Sequence, residues 1–272
     1  MHQPHPHPEK AKDYSSFVPF TARMMAAIRA QESTKAGALF IDPFARQLAG
    51  EEALQQVEQQ LTDKYRAYVA VRTYFFDNFL LSNQVAQVVI LAAGLDTRSF
   101  RLRWPKDSKV YELDYPEVIS FKAGILADAV PNCEHITIGA DLTQPWQDKL
   151  LEREFAPKQP SMWLIEGLLM YLSAEQVHSL LRDVSELSAN GSCLGLDLVN
   201  VKAINKAING EPHREYFQSG WDQPEELLAE YGWDADVIQP GDKAANFGRY
   251  TWVLPPREIA GMERTFLVSA KR

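Results

Sequence analysis

The alternation of apolar and polar positions changes character near residue 85. Before it, apolar residues recur at helical spacing: Phe17, Phe20, Met24, Ala27 and Ile28 within 15–31, then Tyr68, Val71, Phe75 and Phe79 within 65–81. Between these stretches, Asp42-Pro43 predicts a short helix through Leu48 that Gly50 ends, and residues 51–61 predict a polar amphipathic one. After residue 85, short runs of strand formers alternate with amphipathic stretches. Strands are predicted at Val88–Leu91, Lys109–Leu113, His135–Ile138, Met162–Ile165 and Cys193–Leu198, with helices over 116–127, 145–152 and 174–187. In the last helix Ser173 and Gln176 make a capping box ahead of one apolar stripe, Val177, Leu180, Leu181, Val184 and Leu187. Residues 200–222 are polar, contain Pro212, and read as an insertion over the site. A helix over 224–231, ended by Gly232, and strands at 233–238 and 264–270 follow. The expectation is an α/β fold with a mostly parallel, seven-stranded sheet covered by helices on both faces.

The pattern divides the chain into a Pro/His-rich tail (1–14), a helical region (15–84) and an α/β core (85–272). At 272 residues there is enough chain for a sizeable core. A net charge of -8 with no clustered basic face argues against a nucleic-acid partner. No apolar run reaches membrane-spanning length, and the tail has no apolar signal core. Cys133 and Cys193 lack metal-ligand spacing, so no metal site is expected; free thiols predict a reducing, cytoplasmic compartment. Oligomeric state is left open.

Open parallel sheets bind ligands beyond the carboxyl ends of their strands. Those ends carry Ala92-Ala93-Gly94 after the first strand, Asp114 after the second, Asp141 after the third and Glu166 after the fourth. The interval of about 20 residues from the small-residue turn to Asp114 is that of a nucleotide-binding turn and its ribose contact. A carboxylate at Asp114 offers two acceptor oxygens to a diol, and one at Asp141 can accept from an adenine amino group. Glu166 lies in an apolar setting, facing either a ligand cation or Arg72. Arg72 itself, among apolar and aromatic neighbours, needs an anionic partner, either a protein carboxylate or a ligand carboxylate.

These segments resemble the leucine carboxyl methyltransferase family, specifically its bacterial branch of S-adenosylmethionine-dependent O-methyltransferases. The similarity rests on VVILAAGLDTRSFRL (Val88–Leu102), RTYFFD (Arg72–Asp77), ELDYP (Glu112–Pro116), GADL (Gly139–Leu142) and EGLLMYL (Glu166–Leu172), with DPFA (Asp42–Ala45) upstream and PEELLAEYGW (Pro224–Trp233) downstream. The resemblance implies a Rossmann-like class I methyltransferase using S-adenosylmethionine. It implies that Arg72 holds the methionine carboxylate, which decides its partner in favour of a ligand. The Gly94 turn would pack on the methionine portion, Asp114 take the ribose, Asp141 lie at the adenine and Glu166 near the methionine end. The implied donor-binding set is Arg72, Ala92, Ala93, Gly94, Asp96, Asp114, Tyr115, Asp141, Leu142, Glu166 and Gly167. Ala92 departs from the family, which has glycine there. The expectation is a negative φ and a harmless methyl group, with Gly94 keeping the position nearer the ligand.

For the acceptor, a carboxylate is ionised at neutral pH and needs no general base, whereas a phenol or alcohol benefits from one. No convincing base is found: His135 and His178 read as structural, and only His213 stands where a base could meet an acceptor, so a carboxylate acceptor is favoured over a phenol or alcohol. The resemblance to a free-standing bacterial branch implies a small molecule, a natural product. Candidate acceptor residues are Phe17, Phe20, Arg23 and Met24 on the first helix, which reads as a packing helix or a lid, with Tyr216, Phe217 and Trp221 in the insertion, and Phe247-Gly248-Arg249-Tyr250 beyond it. Two other classes compete. A nicotinamide-dependent oxidoreductase lacks its third fingerprint glycine, since Thr97 stands three residues after Gly94. A non-catalytic S-adenosylmethionine-binding protein has no feature against it.

Overall fold

The computed structural model describes residues 18–83, 85–204 and 212–272. Strand β1 (Gln87–Leu91) is buried at every position. Its side chains alternate between two cores, Val89 and Leu91 on one face of the sheet, Val88 and Ile90 on the other. A strand buried on both faces has no polar side to show, so it reads as a continuous apolar run. Strands β4 (Ser161–Ile165) and β5 (Cys193–Val199) are likewise buried throughout.

With β2 (Lys109–Asp114), β3 (Glu134–Gly139), β6 (Asp234–Ile238) and β7 (Thr265–Lys271), these form one sheet in the order β3-β2-β1-β4-β5-β7-β6. The first five strands pair in parallel, and β7 runs antiparallel to β5 and β6. One face is covered by α3 (Asp63–Ser82), through Val71, Phe76, Phe79 and Leu80. The other carries α7 (Ala174–Glu186), whose stripe Val177, Leu180, Leu181 and Val184 enters the larger core with Leu227 and Leu228 of α8 (Pro224–Ala229). The Ser173–Gln176 capping box is formed in both directions.

The N-terminal helices have a core of their own. Met24, Ala27 and Ile28 of α1 (Val18–Ser33) pack against Ala45, Leu48, Ala49 and Leu54 of α2 (Ala45–Gln60). Gly50 interrupts α2 at φ 72°, ψ 162°, dividing it into the two helices that the sequence predicts. Three short helices complete the set: α4 (Arg98–Arg101), α5 (Pro116–Ile125) and α6 (Gln147–Leu151). The tail 1–14 and Phe17 lie outside the described residues, as do 205–211 of the insertion. No described helix is long and apolar enough to cross a membrane, and no described cluster of ligand residues could hold a metal. Both cysteines are free thiols.

Candidate active site

Strand order reverses between β1 and β4, and beyond their carboxyl ends lies a cavity of about 840 Å³. Its floor is the Ile90–Asp96 turn, Asp114-Tyr115 and Glu166–Leu168; α1 and α3 wall one side. The turn is built around Asp114, whose side chain is buried. Its Oδ2 accepts from the Gly94 amide at 2.6 Å and its Oδ1 from the Tyr115 amide at 2.7 Å. The Ala93 amide donates to the Leu113 carbonyl at 3.0 Å, which anchors the turn to β2. Burial raises the Asp114 pKa, while the two backbone amides partly oppose that shift.

Ala92 does not have the negative φ expected of it. Its φ is +52°, in the left-handed region, and Gly94 follows at +51°. The turn needs that conformation at both positions because Ala93 must donate to β2 while Gly94 faces Asp114. A Cβ on an L-residue there costs about 1–2 kcal/mol. Ala92→Gly is therefore expected to raise the unfolding free energy by about 1 kcal/mol, the relief being offset in part by the greater freedom of glycine in the unfolded chain. Urea unfolding measures it; a loss of stability would mean that the alanine is unstrained.

Beside the turn lies a connected group of buried charges. Arg72 donates through Nε to Glu166 at 2.9 Å and through Nη1 to Asp197 at 3.1 Å. Arg98 reaches Asp77 at 2.7 Å, Glu166 at 2.8 Å and Asp96, and Arg101 reaches both oxygens of Asp77. Asp197 is fully buried in β5, where its Oδ1 accepts from the Gly167 amide at 2.6 Å and its Oδ2 from the Tyr68 hydroxyl at 3.0 Å. Burial alone would raise Asp96, but Arg98, then Lys122 and Arg101, outweigh it and hold its pKa at about 2. Since the folded value lies below the ordinary 3.8, Asp96 contributes stability above that pH and loses it as pH falls toward 2. Asp96→Asn should remove about 2 kcal/mol of this acid-dependent stability, seen as a flatter fall of unfolding free energy with decreasing pH. An unchanged pH slope would contradict the assignment.

Arg72 thus has protein carboxylates on two nitrogens. Among the described residues its Nη2 has one hydrogen-bond partner, the Met25 thioether at 3.5 Å, a weak acceptor for a buried guanidinium. Arg72 lines the cavity, and a ligand carboxylate there would be a far better partner. Most of the donor-binding set converges here: Arg72, Ala92, Ala93, Gly94, Asp96, Asp114, Tyr115, Glu166 and Gly167 all line the cavity. Asp141 and Leu142 do not. Asp141 stands one step back, its Oδ1 accepting from the Thr143 amide and hydroxyl at 2.9 and 2.7 Å; Thr143 and Tyr115 present themselves to the cavity in its place.

The acceptor set divides differently. Met24 and Tyr250 line the cavity. Phe20 packs into the α1–α2 core instead. Arg23 turns to the kink in α2, donating to the Ala49 carbonyl at 2.9 Å, and Arg249 is tied to Glu32 at 2.8 Å. Tyr216 does not reach the cavity, and Trp221 packs on the large core beside His178. The His213 side chain and Phe17 lie outside the described residues. Phe217 lines the cavity as expected, whereas Phe247 packs on Tyr74; the rest of the lining at this end comes from Met25, Tyr65, Tyr68, Met170, Tyr171 and Arg214. His135 lies 3.0 Å from Glu112 and His178 2.7 Å from the Tyr231 hydroxyl, both away from the cavity.

The sequence profile described as leucine carboxyl methyltransferase matches residues 22–185 of this chain. The chain belongs to the leucine carboxyl methyltransferase family. A relative from Mycobacterium sp. (strain JLS), named for an inferred S-adenosyl-L-methionine-dependent methyltransferase activity, is 36% identical over 270 residues, covering 89% of this chain and 91% of its own. A similarly named protein of Parafrankia sp. (strain EAN1pec) is 44% identical over 191 residues, 65% of this chain and 62% of its own, so the match spans less than two thirds of that relative. A DUF574 family protein of Streptomyces avermitilis shares the fold with a TM-score of 0.61 at 15% identity, over 91% of this chain and 96% of that one. Membership of the leucine carboxyl methyltransferase family makes this chain an S-adenosylmethionine-dependent methyltransferase, and sets aside the nicotinamide alternative.

Proposed function

We propose that the enzyme methylates a carboxylate oxygen of a small-molecule acid, producing a methyl ester. The observation that carries this reading is the state of the titratable groups around the cavity. Glu166 and Asp96 are held by arginines, Glu263 by Arg214 at 2.8 Å, and Asp114 by two backbone amides. Among the described residues no histidine lines the cavity. A nucleophile that must first lose a proton finds no imidazole and no unheld carboxylate among the described lining residues, whereas a carboxylate arrives ionised.

In this reading, the donor lies along the strand ends. The two Asp114 oxygens each keep a lone pair for a ribose hydroxyl, and Tyr115 and Thr143 border the base. Arg72 offers Nη2 to the methionine carboxylate, and Glu166 lies at the ammonium end. Bound there, S-adenosylmethionine supplies a methyl carbon already activated by its sulfonium. The acceptor end is walled by Met24, Met170, Tyr171, Phe217, Tyr250 and Leu254, which suits an apolar or aromatic acid and keeps water from the line of transfer. Burial pushes the Tyr171 phenol up, so it stays a neutral donor able to orient a carboxylate. A screen of carboxylic acids and phenols with radiolabelled donor tests the reading. Label that alkali releases as methanol marks an ester. Transfer to phenols alone would overturn it, and donor binding with no turnover on any acceptor would favour a binding protein.

A further inference from the structure

The buried charges beside the turn do not balance. Connected ion pairs join three arginines, Arg72, Arg98 and Arg101, to four carboxylates, Asp77, Asp96, Glu166 and Asp197. The neighbouring buried pairs Arg29–Asp42 and Lys122–Glu112 are each matched, and Lys64 at the rim is exposed, where solvent screens it. A net negative charge in a desolvated cluster is costly unless something compensates it. The methyl donor carries an ammonium, a sulfonium and a carboxylate, a net charge of one positive unit. Its thioether product carries none.

We propose that Asp197 supplies the surplus charge and thereby makes the site favour a cationic centre at the sulfonium position over a neutral one. Without it these connected ion pairs would be neutral; Asp114, held by backbone amides, stands outside them as a separate acid. Burial raises the Asp197 pKa, and Arg72 and the Gly167 amide oppose that shift; its contacts are all donors, the Tyr68 hydroxyl, Arg72 Nη1 and the Gly167 amide, so the carboxylate form is the one the geometry satisfies. Asp197 does not line the cavity, whereas Glu166 and Asp96 do. It is thus a positioning residue that acts through Arg72 and through its field, which a buried setting screens less than bulk water does. In the transfer the S–CH3 bond breaks with its electron pair left on sulfur and the O–CH3 bond forms, so sulfonium and acceptor carboxylate are neutralised together. Once the neutral ester departs, the cluster faces a neutral thioether and no cation at the sulfur, which promotes release of that product. The inference rests on the donor lying at these strand ends.

Calorimetry on the full chain tests it. Donor and product share every group except the methyl and its charge, so any disturbance of Arg72 cancels in the ratio of their affinities. Asp197→Asn is expected to weaken the donor about tenfold more than the product. A variant that weakens both equally makes Asp197 merely structural and overturns the proposal. Should the variant not fold, the wild-type enzyme decides with two analogues of one shape. One has an aminoalkyl carbon in place of the sulfonium, and the other is the neutral alkyl isostere. The cationic analogue should bind about tenfold tighter, and equal affinities would overturn the proposal. Asp114→Ala separates the two levels. If it leaves both ligands unaffected, the donor site itself is misplaced; if it weakens both alike, the site stands and the charge argument is judged on its own ratio.

Discussion

Arg98→Ala is expected to lower the unfolding free energy by about 3–5 kcal/mol, the largest effect of any single substitution at the site. The guanidinium is only 3% exposed and serves Asp77, Asp96 and Glu166, with a further hydrogen bond to the Thr73 carbonyl at 3.2 Å. Removing it leaves three carboxylates in a dry environment. Arg101 still covers Asp77 and Arg72 still covers Glu166, but Asp96 keeps only the Arg98 backbone amide. Lysine cannot repair this, because its three donors radiate from one nitrogen and the partners lie around a planar fork. Arg98→Lys should therefore recover less than half of the loss. Urea unfolding at neutral pH measures both variants. A cost below about 1 kcal/mol would be that of an exposed ion pair and would mean that water reaches the cluster.

The residues of this cluster also show what could be read from the chain and what could not. Strands β1, β4 and β5 were legible because both faces are buried, and α7 because its cap and its stripe agree. The strand ends bring Gly94, Asp114 and Glu166 to one cavity by topology alone, and leave Asp141 one step behind it. Helix α4 was not legible: four residues make barely a turn, too short for any periodicity, so Arg98 stood only as a letter in a motif. Asp197 was overlooked although its signal is plain afterwards, an acid inside the otherwise apolar run CLGLDLV, where a charge must have buried partners.

The acceptor end failed for a different reason. Spacing identifies an apolar face but not what the face meets. On α1 the periodic face packs on α2, with Met24 also reaching the cavity, while Thr21, Met25 and Arg29, one turn apart on the adjoining stripe, line it as well. In the insertion, residues 212–216 form a 3-10 helix, which places Arg214 and Phe217 on one side and sends Tyr216 elsewhere. Arg23 and Arg249 were drawn as anion holders because each is a cation near the expected site. Each had a nearer partner within the fold, the Ala49 carbonyl and Glu32. The Ala92 turn was misjudged on backbone geometry, which one sequence does not display: a negative φ was expected at Ala92, whereas Ala92 and Gly94 are both left-handed in a turn whose amides bond to β2 and Asp114.

The second large effect is on donor affinity. Asp114→Ala should weaken S-adenosylmethionine binding about 100-fold, the loss of two charge-assisted hydrogen bonds to ribose hydroxyls at about 1.5 kcal/mol each. Asparagine should do no better than partial rescue. Its single oxygen can accept from either Gly94 or Tyr115, and its amide group would then turn a donor toward the other backbone N–H. The pH response has a definite sign. Burial raises the folded Asp114 pKa above the ordinary value of 3.8. Its protonation therefore favours the folded apo chain at low pH, and that contribution disappears as pH rises through the folded pKa. Donor binding runs the other way, because the diol needs the ionised form: affinity should fall as pH drops through the raised pKa. Asp114→Ala should show neither trend. Titrating the donor into both proteins by calorimetry from neutral to acidic pH tests the assignment. An alanine variant within threefold of wild type at neutral pH would remove Asp114 from the donor site, and the two opposed pH trends are the signature that a residue serving only to shape the turn would lack.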